Sequence, residues 1–76
     1  MPKLPVIKVQ KLLKTLKKIG FVEYHRAGSH IQLRHSDGRR VTLPFHKGKD
    51  IRRGTMRGIL NDIGISVEDF IKVLRK

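Results

Sequence analysis

Four histidines stand in a chain of 76 residues that has no cysteine and only six Asp and Glu. Histidine is the side chain that serves as base or acid near neutral pH. RNA carries its own nucleophile, the 2′-OH. A base for that proton, cations for the charge that builds on phosphorus, and an acid for the leaving oxygen therefore suffice to cut it without a metal. Histidines of that kind, set among cations, are what this chain offers: His25, His30 and His46 fall in its strand-like centre, close to Arg34, Arg40, Lys47, Lys49, Arg52 and Arg53. Carboxylates are few and scattered, so metal-dependent phosphodiester hydrolysis is poorly supported, and the three imidazoles have no Cys or carboxylate beside them to complete a metal site. No metal or other cofactor is expected.

Eighteen Lys and Arg give a formal charge of +12. That excess is far beyond what solubility needs, and a polyanion such as RNA is its natural partner. With 38% hydrophobic residues and clear periodicity the chain is not a disordered basic tail. Its length fits one domain, residues 1–76, with a thin core. No apolar run approaches the roughly 18 residues of a membrane span, and Met1 to Pro5 does not read as a signal peptide. A cytoplasmic protein without cysteines fits these features.

The elements that position the histidines follow from spacing. Residues 1–7 read as extended, because Pro2 and Pro5 disfavour helix for the residue before each. Val9, Leu12, Leu13, Leu16 and Ile19 predict an amphipathic helix over 8–19, stopped by Gly20, with Lys8, Lys11, Lys14, Lys17 and Lys18 on its wet side. Its start has no capping side chain and is expected to fray. Residues 21–26, 29–35 and 39–46 read as strands joined by turns at Ala27-Gly28 and Ser36-Asp37-Gly38. A helix from Thr55 buries Met56, Ile59, Leu60 and Ile63 and ends at Gly64. Another, capped by Ser66, buries Val67, Phe70, Ile71 and Leu74, with Ile65 and Phe70 as a hydrophobic staple. The fold class is α+β, in the order α-β-β-β-α-α, a three-stranded antiparallel sheet with helices on its oily face.

Register then places the chemistry. A three-residue turn at Ser36-Asp37-Gly38 pairs Leu33 with Val41, Ile31 with Leu43 and Ser29 with Phe45, apolar with apolar wherever the core demands it. His30 faces Pro44, with His46 its diagonal neighbour, and Pro44 makes the third strand an edge. For the first hairpin, a turn at Ala27-Gly28 pairs Tyr24 with Ile31, Val22 with Leu33 and His25 with His30. All three histidines then share the open face with Arg34, Arg40 and Thr42, and backbone N–H groups at Gly28 and Ser29 are available to a phosphate oxygen.

The ordered set Leu4-Pro5-Val6, Ile19-Gly20-Phe21, Gly28-Ser29-His30, Asp37-Gly38-Arg39-Arg40, Pro44-Phe45-His46, Gly54-Thr55-Met56-Arg57-Gly58-Ile59-Leu60 and Ile63-Gly64-Ile65-Ser66 resembles the HicA toxin family, also called YcfA-like. The resemblance spans nearly the whole chain. It implies a fold like the double-stranded-RNA-binding domain, mRNA interferase activity, and a HicB-like antitoxin as partner. It also implies that His30, in the Gly-Ser-His motif, is the catalytic residue. Val6-Ile7-Lys8 replaces the Ser-containing cap common in the family, and His25 lies outside its pattern. The expectation is thus a metal-independent endoribonuclease toxin with His30 as acid/base and His46 as a second candidate. Gly28, Ser29, Arg34, Arg40, Lys47, Lys49, Arg52 and Arg53 would hold RNA. The alternative is a non-catalytic RNA-binding module of the same fold, which would tolerate loss of His30.

Overall fold

A computed structural model describes residues 4–75, so the extended reading of residues 1–3 lies outside the described residues. The elements are α1 (Val9–Lys18), β1 (Val22–Ala27), β2 (His30–Arg34), β3 (Arg40–Pro44), α2 (Arg53–Ile63) and α3 (Val67–Leu74). The strands form one antiparallel sheet in the order β1-β2-β3. This is the expected α+β, double-stranded-RNA-binding-like arrangement, with β3 at an edge as its proline requires. Ile31, Leu33, Val41 and Leu43 of the sheet are buried against Leu12 and Leu16 of α1, Met56, Ile59 and Ile63 of α2, and Phe70 of α3. α3 packs less deeply than its stripe suggests: Phe70 is buried, whereas Val67, Ile71 and Leu74 are half-buried. Its Ser66 cap is in place, the hydroxyl accepting from the Asp69 N–H at 3.1 Å.

The β2–β3 register is the one expected, from His30 opposite Pro44 through Leu33 opposite Val41 to Arg34 opposite Arg40. The β1–β2 register is not. Ala27 faces His30, Arg26 faces Ile31, and His25 faces Gln32 rather than His30, with a bulge between Glu23 and His25. The turn is Gly28-Ser29, one residue later than read. Gly28 has φ +57°, and among the described residues no non-glycine has a positive φ. That is the pattern of a type II′ hairpin turn, which takes glycine first; an Ala27-Gly28 turn would force alanine there. The bulge then absorbs the shift, and Val22 and Tyr24, expected inside, are 64% and 42% exposed.

The start of α1 is held, not frayed. No side chain caps it, but the Val9 N–H donates to the Lys49 carbonyl at 3.0 Å and the Ile51 N–H to the Ile7 carbonyl at 2.9 Å. The Gly48 N–H also donates to the Gln10 side chain at 3.1 Å. The loop between β3 and α2 thus supplies, in the Lys49 carbonyl, an acceptor for the first N–H of the helix, and ties itself to the helix start through its own Gly48 and Ile51 N–H groups.

Both α1 and α2 end on a left-handed glycine with the paired bonds of a Schellman motif. Phe21 N–H donates to the Leu16 carbonyl at 3.0 Å and Gly20 N–H to Lys17 at 3.1 Å; Ile65 N–H donates to Leu60 at 3.2 Å and Gly64 N–H to Asn61 at 3.3 Å. The β2–β3 turn holds one further carbonyl from each. His35 accepts the Asp37 N–H on Nδ1 at 3.1 Å, which leaves its Nε2–H to donate to the Ile19 carbonyl at 3.1 Å. Arg39, whose guanidinium lies 5.3 Å over the Phe21 ring, donates to the Ile63 carbonyl.

A Cβ on Gly20, where φ is +100°, would meet the His35 Nε2 at 2.7 Å, whereas a Cβ on Gly28 would meet nothing within 4 Å. Both substitutions by alanine carry the left-handed penalty of about 1–2 kcal/mol; only Gly20→Ala also displaces a ring bonded on both sides. Chemical denaturation is expected to find Gly20→Ala clearly the more destabilised, by roughly 1 kcal/mol or more beyond Gly28→Ala. Equal losses would mean that the His35 contact carries no weight.

Candidate nucleic-acid interface

β2 alternates, so Ile31 and Leu33 go under the helices while His30, Gln32 and Arg34 rise on the open side. Cross-strand partners share a face. The open face therefore carries Ala27, His25 and Val22 from β1 and Arg40, Thr42 and Pro44 from β3. His30 is exposed, the first residue of β2, directly after the Gly28-Ser29 turn. Ser29 is half-buried, and its carbonyl accepts from the Phe45 N–H, which extends the pairing one step past Pro44.

The candidate residues fall into two groups. Around His30 lie the Gly28-Ser29 turn and Pro44, and Pro44 lines a hollow of about 100 Å³ together with His46, Lys49, Arg52 and Thr55. His46 is exposed two residues beyond Pro44, past the end of β3. Lys47 and Arg53 are exposed nearby but do not line the hollow; Arg53 is the first residue of α2, which starts two residues before the expected Thr55. The second group sits at the other end of the sheet. Arg34 and Arg40 face each other there, four residues and so roughly 13 Å along the strand from His30. A short anion cannot reach both groups; an extended polyanion can.

Of the acids, Asp50 lines the same hollow, while Asp37 and Glu23 are engaged elsewhere. Asp37 is held below the usual carboxylate range by the Arg39 backbone N–H and then by the Arg39 side chain, whose Nε lies 2.8 Å away. Glu23 is lowered chiefly by its hydrogen bond from Arg26, at 3.1 Å. No open-face position of β2 or β3 is an acid. Among the described residues no three His, Asp or Glu side chains gather at metal-binding spacing. Nor, among the described residues, is any helix long and apolar enough to cross a membrane.

Tyr24 was missed as a surface residue. Its O–H donates to the Gln32 Oε1 at 2.9 Å, and the Arg34 guanidinium lies 5.3 Å from its ring centroid. The Gly28-Ser29 turn, a recognised two-residue hairpin pair, moves each partner by two residues and by itself would leave Tyr24 opposite Leu33; the bulge between Glu23 and His25, which no residue type signals, is what brings it to the surface. His35, unremarked in the sequence, is the histidine with a structural task.

Residues 9–65, three quarters of the chain, match the family described as the HicA toxin of bacterial toxin-antitoxin. No curated protein matches the chain.

Two arginines directly opposite each other cost stability in the free protein, which suits a face built for an anion. Arg40→Glu is expected to raise the melting temperature, the cross-strand pair gaining roughly 0.5–1 kcal/mol, and at the same time to weaken retention on immobilised heparin. A lower melting temperature with retention unchanged would show that the opposed charges are not a functional device.

Proposed function

This chain belongs to the HicA toxin family of bacterial toxin–antitoxin systems, and we propose that it is a metal-independent endoribonuclease acting on mRNA in the cytoplasm, with His30 moving the proton. The observation that carries this reading is the setting of His30. It is an exposed imidazole at the head of β2, beside a turn opened by a left-handed glycine, opposite a proline that shares its hollow with His46, Lys49 and Arg52.

In this reading His30 takes the proton of a 2′-OH. The freed oxygen attacks the adjacent phosphorus, the bond from phosphorus to the 5′-oxygen breaks, and a proton is delivered to that oxygen. The products are a 2′,3′-cyclic phosphate and a 5′-OH. His46 is the second proton carrier. Lys49 and Arg52, with the backbone N–H groups of Gly28 and Ser29, hold the phosphate and offset the charge that builds on it. Arg34, Arg40, Lys47 and Arg53 bind neighbouring phosphates and give affinity rather than chemistry. His25, opposite Gln32 instead of His30, takes no part.

His30→Ala is expected to abolish cleavage of a model RNA while the protein stays folded and still binds, since one imidazole adds little to phosphate affinity. His46→Ala should slow cleavage by roughly 10²–10⁴-fold, the usual worth of one acid or base, and remove one limb of the pH–rate profile. Wild-type protein should cut in EDTA and leave uncut a substrate with 2′-deoxy at the scissile position. A folded His30→Ala protein that cleaves normally would refute the assignment, as would a need for magnesium.

The antitoxin of this reading is a HicB-like protein that covers the open face, steered by charge. RNA and antitoxin should then compete, each displacing the other in a titration followed by fluorescence anisotropy. A stable ternary complex with RNA still on the face would contradict occlusion.

A further inference from the structure

Tyr24 is an aromatic residue 42% exposed on the face that carries Gln32, Arg34, Arg40 and Thr42, with Val22 beside it 64% exposed. Neither packs into the core, and water does not favour leaving them there. The ring is nonetheless held: its hydroxyl is tied to Gln32 at 2.9 Å and the Arg34 guanidinium lies 5.3 Å from its centroid. The bulge between Glu23 and His25 is what turns Tyr24 onto this face. An aromatic side chain already fixed in orientation, next to a guanidinium and flanked by phosphate-binding charge, is the arrangement that stacks unpaired nucleobases.

We propose that Tyr24 and Arg34 form a stacking platform for an unpaired base of the RNA. Gln32, which faces the bulged pair, is two residues along β2 from His30, so the platform lies about 7 Å along the sheet from the reacting imidazole. The base it takes belongs to a nucleotide next to the scissile phosphate. Stacking there orients the backbone over His30 and selects single-stranded RNA, because a base inside a duplex has no free face to offer. The charge argues for RNA over a protein strand. Arg34 and Arg40 face each other with no acid between them, and a nucleotide brings both the π-face and the anion that this pair lacks. The platform rests on RNA being the ligand of the open face; it does not depend on His30 being the base.

The test uses a 2′-O-methyl oligoribonucleotide carrying 2-aminopurine, which has no 2′-OH to be cut, so binding is read whether or not the protein is a nuclease. Wild-type protein should quench the fluorophore on binding. Tyr24→Ala should lose the quenching and weaken single-strand binding roughly 5- to 100-fold, the range for one lost base–aromatic stack. Tyr24→Phe should keep the quenching and stay within about threefold, and duplex RNA should bind wild type and Tyr24→Ala alike. Full-strength single-strand binding by a folded Tyr24→Ala protein would overturn the platform, as would equal weakening toward single strand and duplex. So would a loss confined to antitoxin binding, which would make the patch a protein contact. A protein that quenches and binds as expected but never cuts ordinary RNA would leave the platform standing and bring down the nuclease reading alone.

Discussion

Everything at the candidate site depends on the pairing register of β2 with β3. A side chain in a strand alternates between faces, so a slip of one residue would exchange the faces of the strand that slipped. A slip of β2 would turn Ile31 and Leu33 to water and drive His30, Gln32 and Arg34 under the helices; a slip of β3 would do the same to Val41 and Leu43 and to Arg40. Ile31, Leu33, Val41 and Leu43 are buried to 3% exposure or less, and their burial is the free energy that opposes either slip. The strand positions of the polar face are therefore not set by contacts on that face. They are held in place by the apolar side chains on the other side of the same two strands, and the turn that sets their register also clasps the ends of α1 and α2 through His35 and Arg39.

A second dependence runs through the loop between β3 and α2. Its backbone completes the first turn of α1, with Lys49 and Ile51 bonded to Val9 and Ile7 and Lys8 bridged to Asp50. Ile51 is buried. The same stretch carries His46, Lys49 and Arg52 into the hollow beside Pro44. A charged loop with no internal purpose would move freely and place its cations poorly. Here the uncapped start of α1 holds it: the Lys49 carbonyl accepts from the Val9 N–H, the loop's Gly48 and Ile51 N–H groups donate back, and the cations are located as a result.

Where the sequence was legible follows the same physics. The β2–β3 register could be read because Ser36-Asp37-Gly38 specifies one loop length and the apolar pairs then agree. Helix ends at Gly20 and Gly64 and the cap at Ser66 each have a residue type that announces them. The first hairpin could not be read the same way. Val22 and Tyr24 are apolar enough to suggest burial, and only the II′ preference for Gly28-Ser29, together with a bulge that has no marker of its own, assigns that space elsewhere. The loop's hold on α1 was also invisible, since backbone acceptors leave no trace in side-chain identity. Thus His30 and its partner Pro44 were placed from sequence, while the neighbourhood of His25 and Tyr24 was not.

The distribution of the six acids closes the argument. Asp37 braces a turn, Glu23 pairs with Arg26 on the edge strand, Asp50 lies beside Lys8 at 3.8 Å, Asp62 is exposed in the last turn of α2, and Glu68 and Asp69 sit in the first turn of α3, where a helix favours negative charge. Such exposed pairs add little stability each; their effect is to keep negative charge away from β2 and β3. The open face is thus left with cations and no counter-charge from its own strands, a state that costs the free protein something through repulsion. Any polyanion that settles there relieves that repulsion and, by binding only the folded form, stabilises the fold as well. In the proposed reading the same imbalance serves both partners: RNA brings phosphates to it and an antitoxin carboxylates, so the field that attracts the one also draws in the other.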